Sequence, residues 1–111
     1  MHVEKYMRGA VTVLVLKGEL DSVTAAEAHT GLMDLLPVGG RVLLDLSEVS
    51  YISSAGLRVL LLVYREARHK DVPLALAGVP AEARVVMSAT GFLDAFVVAD
   101  TVAEGVEALG R

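Results

Sequence analysis

Several residue types are missing or scarce in this chain of 111 residues. Cysteine is absent, which excludes disulfide bonds, thiol catalysis and zinc sites built on cysteine. The longest unbroken apolar run, residues 59–64, is far shorter than the roughly 20 residues of a membrane-spanning helix. Because hydrophobic residues nevertheless make up 54% of the chain, we expect them to form a packed core, with no direct membrane insertion.

Positive charge is also scarce. Ten Lys and Arg residues stand against 14 Asp and Glu residues, for a net charge of −4, and no basic cluster is interleaved with aromatic residues. This composition argues against a nucleic-acid partner. The first residues, MHVEKYMRGAV, mix charges with apolar residues and lack the apolar region of a signal peptide. We therefore expect a cytoplasmic protein.

Strand and helix patterns alternate along the chain. Its length fits one domain, so we expect residues 1–111 to form a single unit. The patterns predict a hairpin or two short strands in 6–20, a helix ending before Pro37, a strand at 42–46, a long helix from Leu57, a strand in 71–79, a helix in 80–91, a strand in 94–100 and a helix in 101–110. Such spacing indicates βαβ crossovers, hence an α/β fold with a central, mixed but largely parallel sheet and about four helices packed on it. Thr24 and Glu27 match a capping box at the first helix.

The long helix is preceded by two serines, in the stretch SYISSAGLRVLLLVYREARHK. Apolar residues then recur at i, i+3, i+4 and i+7 and predict one buried face, made of Leu57, Leu60, Leu61, Tyr64 and Ala67. Leu62 falls on the outward side between two arginines. It is either an exposed apolar contact or the ordinary ragged edge of an amphipathic helix.

The serines admit two interpretations. A helix start leaves backbone N–H groups unpaired, and a serine oxygen accepts from one of them, so at least one of Ser53 and Ser54 is expected to be an N-cap. Capping needs only one hydroxyl, and loops at the carboxyl ends of parallel strands are where α/β folds place their sites. Gly56 adds the possibility of a close backbone approach. A cap with a turn and a functional hydroxyl both remain open from these residues alone.

Catalysis has little support in the sequence. There is no G-x-S-x-G or S-x-x-K motif, no phosphate-binding glycine loop, and the three histidines, His2, His29 and His69, lie on different predicted elements. No H-x-x-x-H or H-E-x-x-H motif occurs, and no pair of carboxylates flanks a histidine at a ligand spacing. We expect neither an enzyme nor a protein with a metal or cofactor.

Two separated motifs carry a resemblance to a known family. The stretch LLDLSEVSYISSAGLRVLLLVYREA resembles the signature of the STAS domain family, and specifically of bacterial anti-sigma-factor antagonists, in which a strand is followed by L-S-x-V-x-x-[ILM]-D-S-[ST]-G-L and a helix. Upstream, LKGELDSVTAAE resembles the family's G-E-[LI]-D-x-x-[TN]-A segment, and SATGFLDAFVV resembles its passage near the C-terminus. The resemblance implies a STAS fold over nearly the whole chain.

The resemblance also assigns site residues. The family's phosphorylated serine falls on Ser54, its preceding aspartate on Ser53 and its second hydroxyl residue on Ala55, so Ser53 is a competing phosphoacceptor. The partner-binding residues implied or expected are Asp21, Ser53, Gly56, Leu57, Arg58 and Leu62. Asp21 matches the acidic residue of the family's GELD turn, and it is either a partner contact or an aspartate favoured by a helix N-terminus.

A partner-switching mechanism follows from the resemblance. In this family the unmodified antagonist binds a serine-kinase anti-sigma factor, which itself binds ATP, and the sigma factor is released. Phosphorylation of the antagonist ends the binding, and a PP2C-type phosphatase restores it. The alternatives within the family are a STAS subunit of a lipid-transport ABC complex and a module of a stress-signalling scaffold.

Overall fold

The computed structural model describes residues 1–110, with the backbone alone at positions 92 and 95. Its strands are β1 His2–Arg8, β2 Val11–Leu20, β3 Arg41–Ile52, β4 Leu74–Ala77 and β5 Val97–Ala99. Its helices are α1 Ala25–Leu35, α2 Ser54–His69, α3 Ala81–Ala89 and α4 Val102–Leu109, with a short 3-10 helix at Phe92–Ala95. The order of strands and helices agrees with the alternation that the sequence predicts.

The five strands form one mixed sheet in the order β1-β2-β3-β4-β5. Only β1 runs antiparallel to its neighbour, in a hairpin with β2, and the other three pairs are parallel. The helices between the parallel strands are the crossovers that parallel pairing requires. The expected α/β fold with a largely parallel sheet and four helices is therefore confirmed.

The sheet separates two hydrophobic clusters because side chains alternate between the faces of a strand. The larger cluster packs α1, α2 and α3 against one face, through residues such as Leu32, Leu60 and Met87. The smaller one packs α4 against the other face through Leu109. Three helices thus cover the face on which α2 lies.

The predicted bounds of β1, α2 and β3 differ from the structure. β1 begins at His2, before the predicted segment 6–20, and α2 begins at Ser54 instead of Leu57. The central strand β3 runs to Ile52, well beyond the predicted end at position 46, because its second half pairs with residues 17–20 of β2. The register of this pair is irregular before Lys17 and again between Gly18 and Glu19. The extension replaces a predicted loop with sheet, so that α2 begins directly after the strand. Within residues 1–110, none of the helices combines the length and the apolar composition that a membrane crossing needs.

Candidate partner-binding site

The two family-like motifs meet at the carboxyl ends of β2 and β3. β2 and β3 are parallel neighbours, and Leu20 lies opposite Ile52 at their carboxyl ends. The next backbone N–H, that of Ser53, donates to the Leu20 carbonyl oxygen at 2.9 Å. The turn after β2, which contains Asp21, therefore lies beside the turn that begins α2.

The two serines have different structural roles. Ser53 is the N-cap of α2, in extended conformation, and its Oγ accepts a hydrogen bond from the Gly56 N–H at 3.3 Å. Ser54 is the first helical residue and is exposed. Its hydroxyl forms no hydrogen bond with any residue in 1–110. The expectation that one serine caps the helix is confirmed, and the cap is Ser53.

Gly56 joins the helix start to the end of β2. A Cβ atom at Gly56 would lie 2.4 Å from the Leu20 carbonyl oxygen and 3.0 Å from Cγ2 of Ile52. Real Cβ atoms do not approach other atoms this closely, so only glycine allows the helix to sit here. Gly56 and Leu57 are both buried, and these two predicted partner-binding residues therefore offer a partner little surface of their own.

The capping box predicted for α1 is wrong. Thr24 is the N-cap, but its side chain makes no capping hydrogen bond to the helix. Its Oγ1 instead donates to the Glu19 carbonyl oxygen at 2.8 Å and accepts from the Asp21 N–H at 3.0 Å. The Thr24 hydroxyl thus closes the turn after β2. Glu27, the other residue of the predicted box, accepts from the N-terminal ammonium group of Met1 at 3.2 Å.

Asp21 holds the same turn. Its Oδ1 accepts from the N–H groups of Val23 at 2.9 Å and Thr24 at 3.1 Å. These bonds give the carboxylate a local structural function, as the helix-start interpretation expects. Asp21 remains half-buried, so part of its surface faces solvent beside the α2 turn.

The helix face differs in part from the sequence prediction. Leu57, Leu60 and Ala67 are buried as predicted, whereas Leu61 and Tyr64 are half-buried. Val59 and Val63 are buried in their place, because the centre of the buried face is rotated from the predicted one. Leu62 is half-buried and Arg58 is exposed.

A groove of about 460 Å³ runs beside the serines. One wall comes from the end of β3 and the start of α2, and includes Tyr51, Ser53 and Ser54. The other wall is the first part of α3, with Pro80, Ala81, Glu82, Ala83 and Val86. Both Tyr51 and Val86 are about half exposed, at 51% and 49%. Ser54 thus lies on the rim of a largely apolar groove.

Sequence reasoning missed the α3 wall and Tyr51. The α3 residues are about 25 positions from the serines, and no short motif links the two segments. Tyr51 was hidden inside the family-like motif as a variable position. The sequence did carry one signal for the α3 wall: the predicted helix that begins Pro-Ala-Glu-Ala has two adjacent valines. Val85 and Val86 cannot both face the core, so an exposed apolar side chain was to be expected on this helix.

Replacing Ser53 by alanine is expected to destabilise the fold by about 1 kcal/mol, because the cap of α2 is lost. The matched control is Ser54→Ala, where the exposed hydroxyl has no hydrogen bond among residues 1–110 and a change within about 0.5 kcal/mol is expected. Urea denaturation measures both. Equal effects of the two substitutions would contradict the different roles of the two serines.

Comparison with known proteins agrees with this fold and with the position of the motifs. The family model for the STAS domain matches residues 2–105. This chain is 38% identical over 90 residues to BtrV of Bordetella bronchiseptica, a protein proposed to be an anti-sigma factor antagonist, and the match covers 80% of this chain and 78% of BtrV. The chain belongs to the STAS domain family.

Solved structures share the same architecture. A crystal structure of an anti-sigma factor antagonist from Mycobacterium paratuberculosis aligns with a TM-score of 0.87 at 21% identity, over 99% of this chain and 94% of that one. A proposed anti-sigma factor antagonist from Thermotoga maritima aligns with a TM-score of 0.88 at 22% identity, over 98% and 95% of the two chains. At these identities the likeness establishes the fold.

Proposed function

We propose that this STAS protein is an anti-sigma-factor antagonist that works by partner switching. The unmodified form binds a serine-kinase anti-sigma factor and so releases the sigma factor, and phosphorylation of Ser54 ends the binding. The similarity to BtrV over most of both chains supports the antagonist role. We further propose that residues 1–111 act as one cytoplasmic domain without catalytic activity of its own.

The position of the Ser54 hydroxyl is the observation that carries this proposal. It is exposed, it forms no hydrogen bond with a residue in 1–110, and it lies on the rim of a groove that a partner can enter. The neighbouring Ser53 hydroxyl is occupied by the Gly56 N–H at 3.3 Å and is half-buried. A kinase can therefore reach Ser54 without unfolding the helix start, whereas modification of Ser53 would remove the cap.

Phosphorylation at this position favours a switch at the surface. A phosphate adds about 1.5 to 2 negative charges, and at Ser54 it meets the positive end of the α2 dipole and unpaired backbone N–H groups. The fold is therefore expected to tolerate the modification. The groove, however, already has Glu82 in its opposite wall. After phosphorylation, a partner that fits this largely apolar groove would face the phosphate of Ser54 on one side and Glu82 on the other.

The exposure of each side chain decides which residues we propose as direct contacts with the partner. Ser54, Arg58 and the accessible part of Asp21 are the direct contacts, together with Tyr51 and Val86 at the groove. Gly56 and Leu57 contribute by fixing the shape of the turn, and half-buried Leu62 contributes at the margin. A PP2C-type phosphatase is the partner that returns phosphorylated Ser54 to the hydroxyl.

A displacement experiment tests the function. The serine-kinase anti-sigma factor encoded nearest to this protein is bound to its sigma factor, and the antagonist is added with ADP so that no phosphate is transferred. We expect a complex of antagonist and kinase to form and free sigma factor to appear in size-exclusion chromatography. A kinase that keeps its sigma factor and binds no antagonist would contradict the proposed function.

A further inference from the structure

The exposed face of α2 carries a line of arginines that starts at Ser54. At 3.6 residues per turn, the residues Ser54, Arg58, Leu61, Arg65 and Arg68 fall within an arc of about 80° on the helix. All three arginines are exposed. We call these five residues the α2 stripe. It extends from the proposed phosphorylation site along the whole helix.

The α2 stripe is electrostatically unbalanced. In residues 1–110, no carboxylate lies within ion-pair distance of Arg58, Arg65 or Arg68. Lys17 and Arg84 do have partners, Glu4 at 2.7 Å and Asp100 at 2.8 Å, whereas other basic side chains within residues 1–110, such as Lys5 and Arg8 of β1, have no ion pair either. The chain as a whole has a net charge of −4. What distinguishes α2 is that three exposed arginines without an ion pair lie on one face of a single helix.

A depression in the protein surface lies along the α2 stripe. Leu61, Tyr64, Arg65, Arg68 and His69 line a shallow depression of about 560 Å³. Arg68 is held over the Tyr64 ring, with its guanidinium carbon 5.9 Å from the ring centroid, and it donates to the Tyr64 hydroxyl at 3.4 Å. An apolar floor with a cationic rim fits a carboxylate side chain that projects from a protein surface.

We propose that the α2 stripe is the docking surface for an acidic surface of the serine-kinase anti-sigma factor. Positive charge on one partner and negative charge on the other steer association and fix the orientation of the complex. Because the stripe is continuous with Ser54, a partner docked along it has its active site directed at the Ser54 hydroxyl. This inference rests on the proposed function, since it assigns the surface to that same partner.

The stripe also connects docking to phosphorylation. Arg58 lies four residues after Ser54, and side chains at i and i+4 are neighbours on a helix surface. A phosphate on Ser54 thus neutralises the first arginine of the stripe and places negative charge in front of the acidic partner surface. The loss of binding on phosphorylation then has an electrostatic cause that needs no rearrangement of the fold.

Charge reversal tests the docking surface. The test variant is Arg65→Glu combined with Arg68→Glu, and the matched control is Lys5→Glu combined with Arg8→Glu, which makes the same change of charge at exposed positions of β1. Dissociation constants for the purified kinase are measured at 0.05 M and 0.5 M salt. We expect the test variant to bind at least tenfold more weakly than wild type at low salt, and the control to bind within twofold.

The salt dependence supplies a second criterion. Wild-type binding is expected to weaken as the salt concentration rises, because the Debye length falls from above 10 Å to a few Å. For the same reason, the ratio between the dissociation constants of the test variant and of wild type is expected to become smaller at high salt. Because Arg68 contacts Tyr64, Arg65→Glu alone is measured as well and is expected to weaken binding about threefold or more. Tight wild-type binding with equal effects of the test and control variants would overturn the docking surface and leave the proposed function standing. No wild-type binding at all would overturn both.

Discussion

Ser54→Glu is expected to weaken binding of the serine-kinase anti-sigma factor by about tenfold or more, and phosphorylated Ser54 by about a hundredfold. The reason is that the complex must desolvate a new charge at the rim of the groove, opposite Glu82 and next to an acidic partner surface. Glutamate at the first turn of a helix is favoured by the helix dipole, so the variant is expected to fold. Isothermal titration calorimetry with the kinase and ADP measures the loss.

Ser54→Ala is the matched control. It removes the phosphoacceptor without adding charge, so we expect binding within about threefold of wild type and no phosphate incorporation at this position. Thermal melts of both variants verify that the fold is retained. If Ser54→Ala abolishes binding while the protein remains folded, the hydroxyl itself is a required contact, and the switch described here would be wrong.

Gly56→Ala is expected to destabilise the protein by about 3 kcal/mol, and to lower the melting temperature by roughly 12 °C. In an unconstrained helix the same change is stabilising by nearly 1 kcal/mol. Here the new Cβ would lie 2.4 Å from the Leu20 carbonyl oxygen. That oxygen is fixed because it accepts from the Ser53 N–H and ends a paired strand. The helix start must therefore move away from β2.

Gly31→Ala provides the matched control for this prediction. Gly31 is also in a helix, α1, but a Cβ there meets only Cγ2 of Val3, at 3.8 Å, an ordinary van der Waals contact. We expect this substitution to raise stability by about 0.5 to 1 kcal/mol. Chemical denaturation of the two variants compares them directly. A Gly56→Ala protein as stable as the Gly31→Ala protein would contradict the close approach of α2 to β2.

Much of the fold follows from local pattern. The alternation of strand and helix patterns predicts the crossovers, and the apolar run between two glycines in residues 6–20 predicts a hairpin or two short strands, although β1 itself begins at His2. These elements are predictable because their periodicity reflects which side of each element faces the core. The full length of β3 was not predictable from the sequence, because residues 47–52 include charged and polar side chains. They are strand because β2 continues beside them, which is a tertiary effect.

The site was predictable in part for a similar reason. A short motif places both serines at a helix start, but only the geometry separates the capping hydroxyl of Ser53 from the exposed one of Ser54. Thr24 fits a capping box by spacing, yet its hydroxyl bonds back to Glu19 because the turn after β2 competes for it. The α3 wall of the groove depends on the packing of distant segments, and no local pattern encodes it.

The most direct test of the central claim is a phosphosite map. The wild-type protein and the Ser53→Ala variant are incubated with ATP and the serine-kinase anti-sigma factor encoded nearest to it, and the modified residues are located by mass spectrometry. We expect phosphate on Ser54 alone, in both proteins. Phosphate on Ser53 in the wild-type protein would contradict the assignment of Ser54. No phosphate in either protein, with a kinase shown to be active on another substrate, would contradict partner switching and favour a transport or scaffold role.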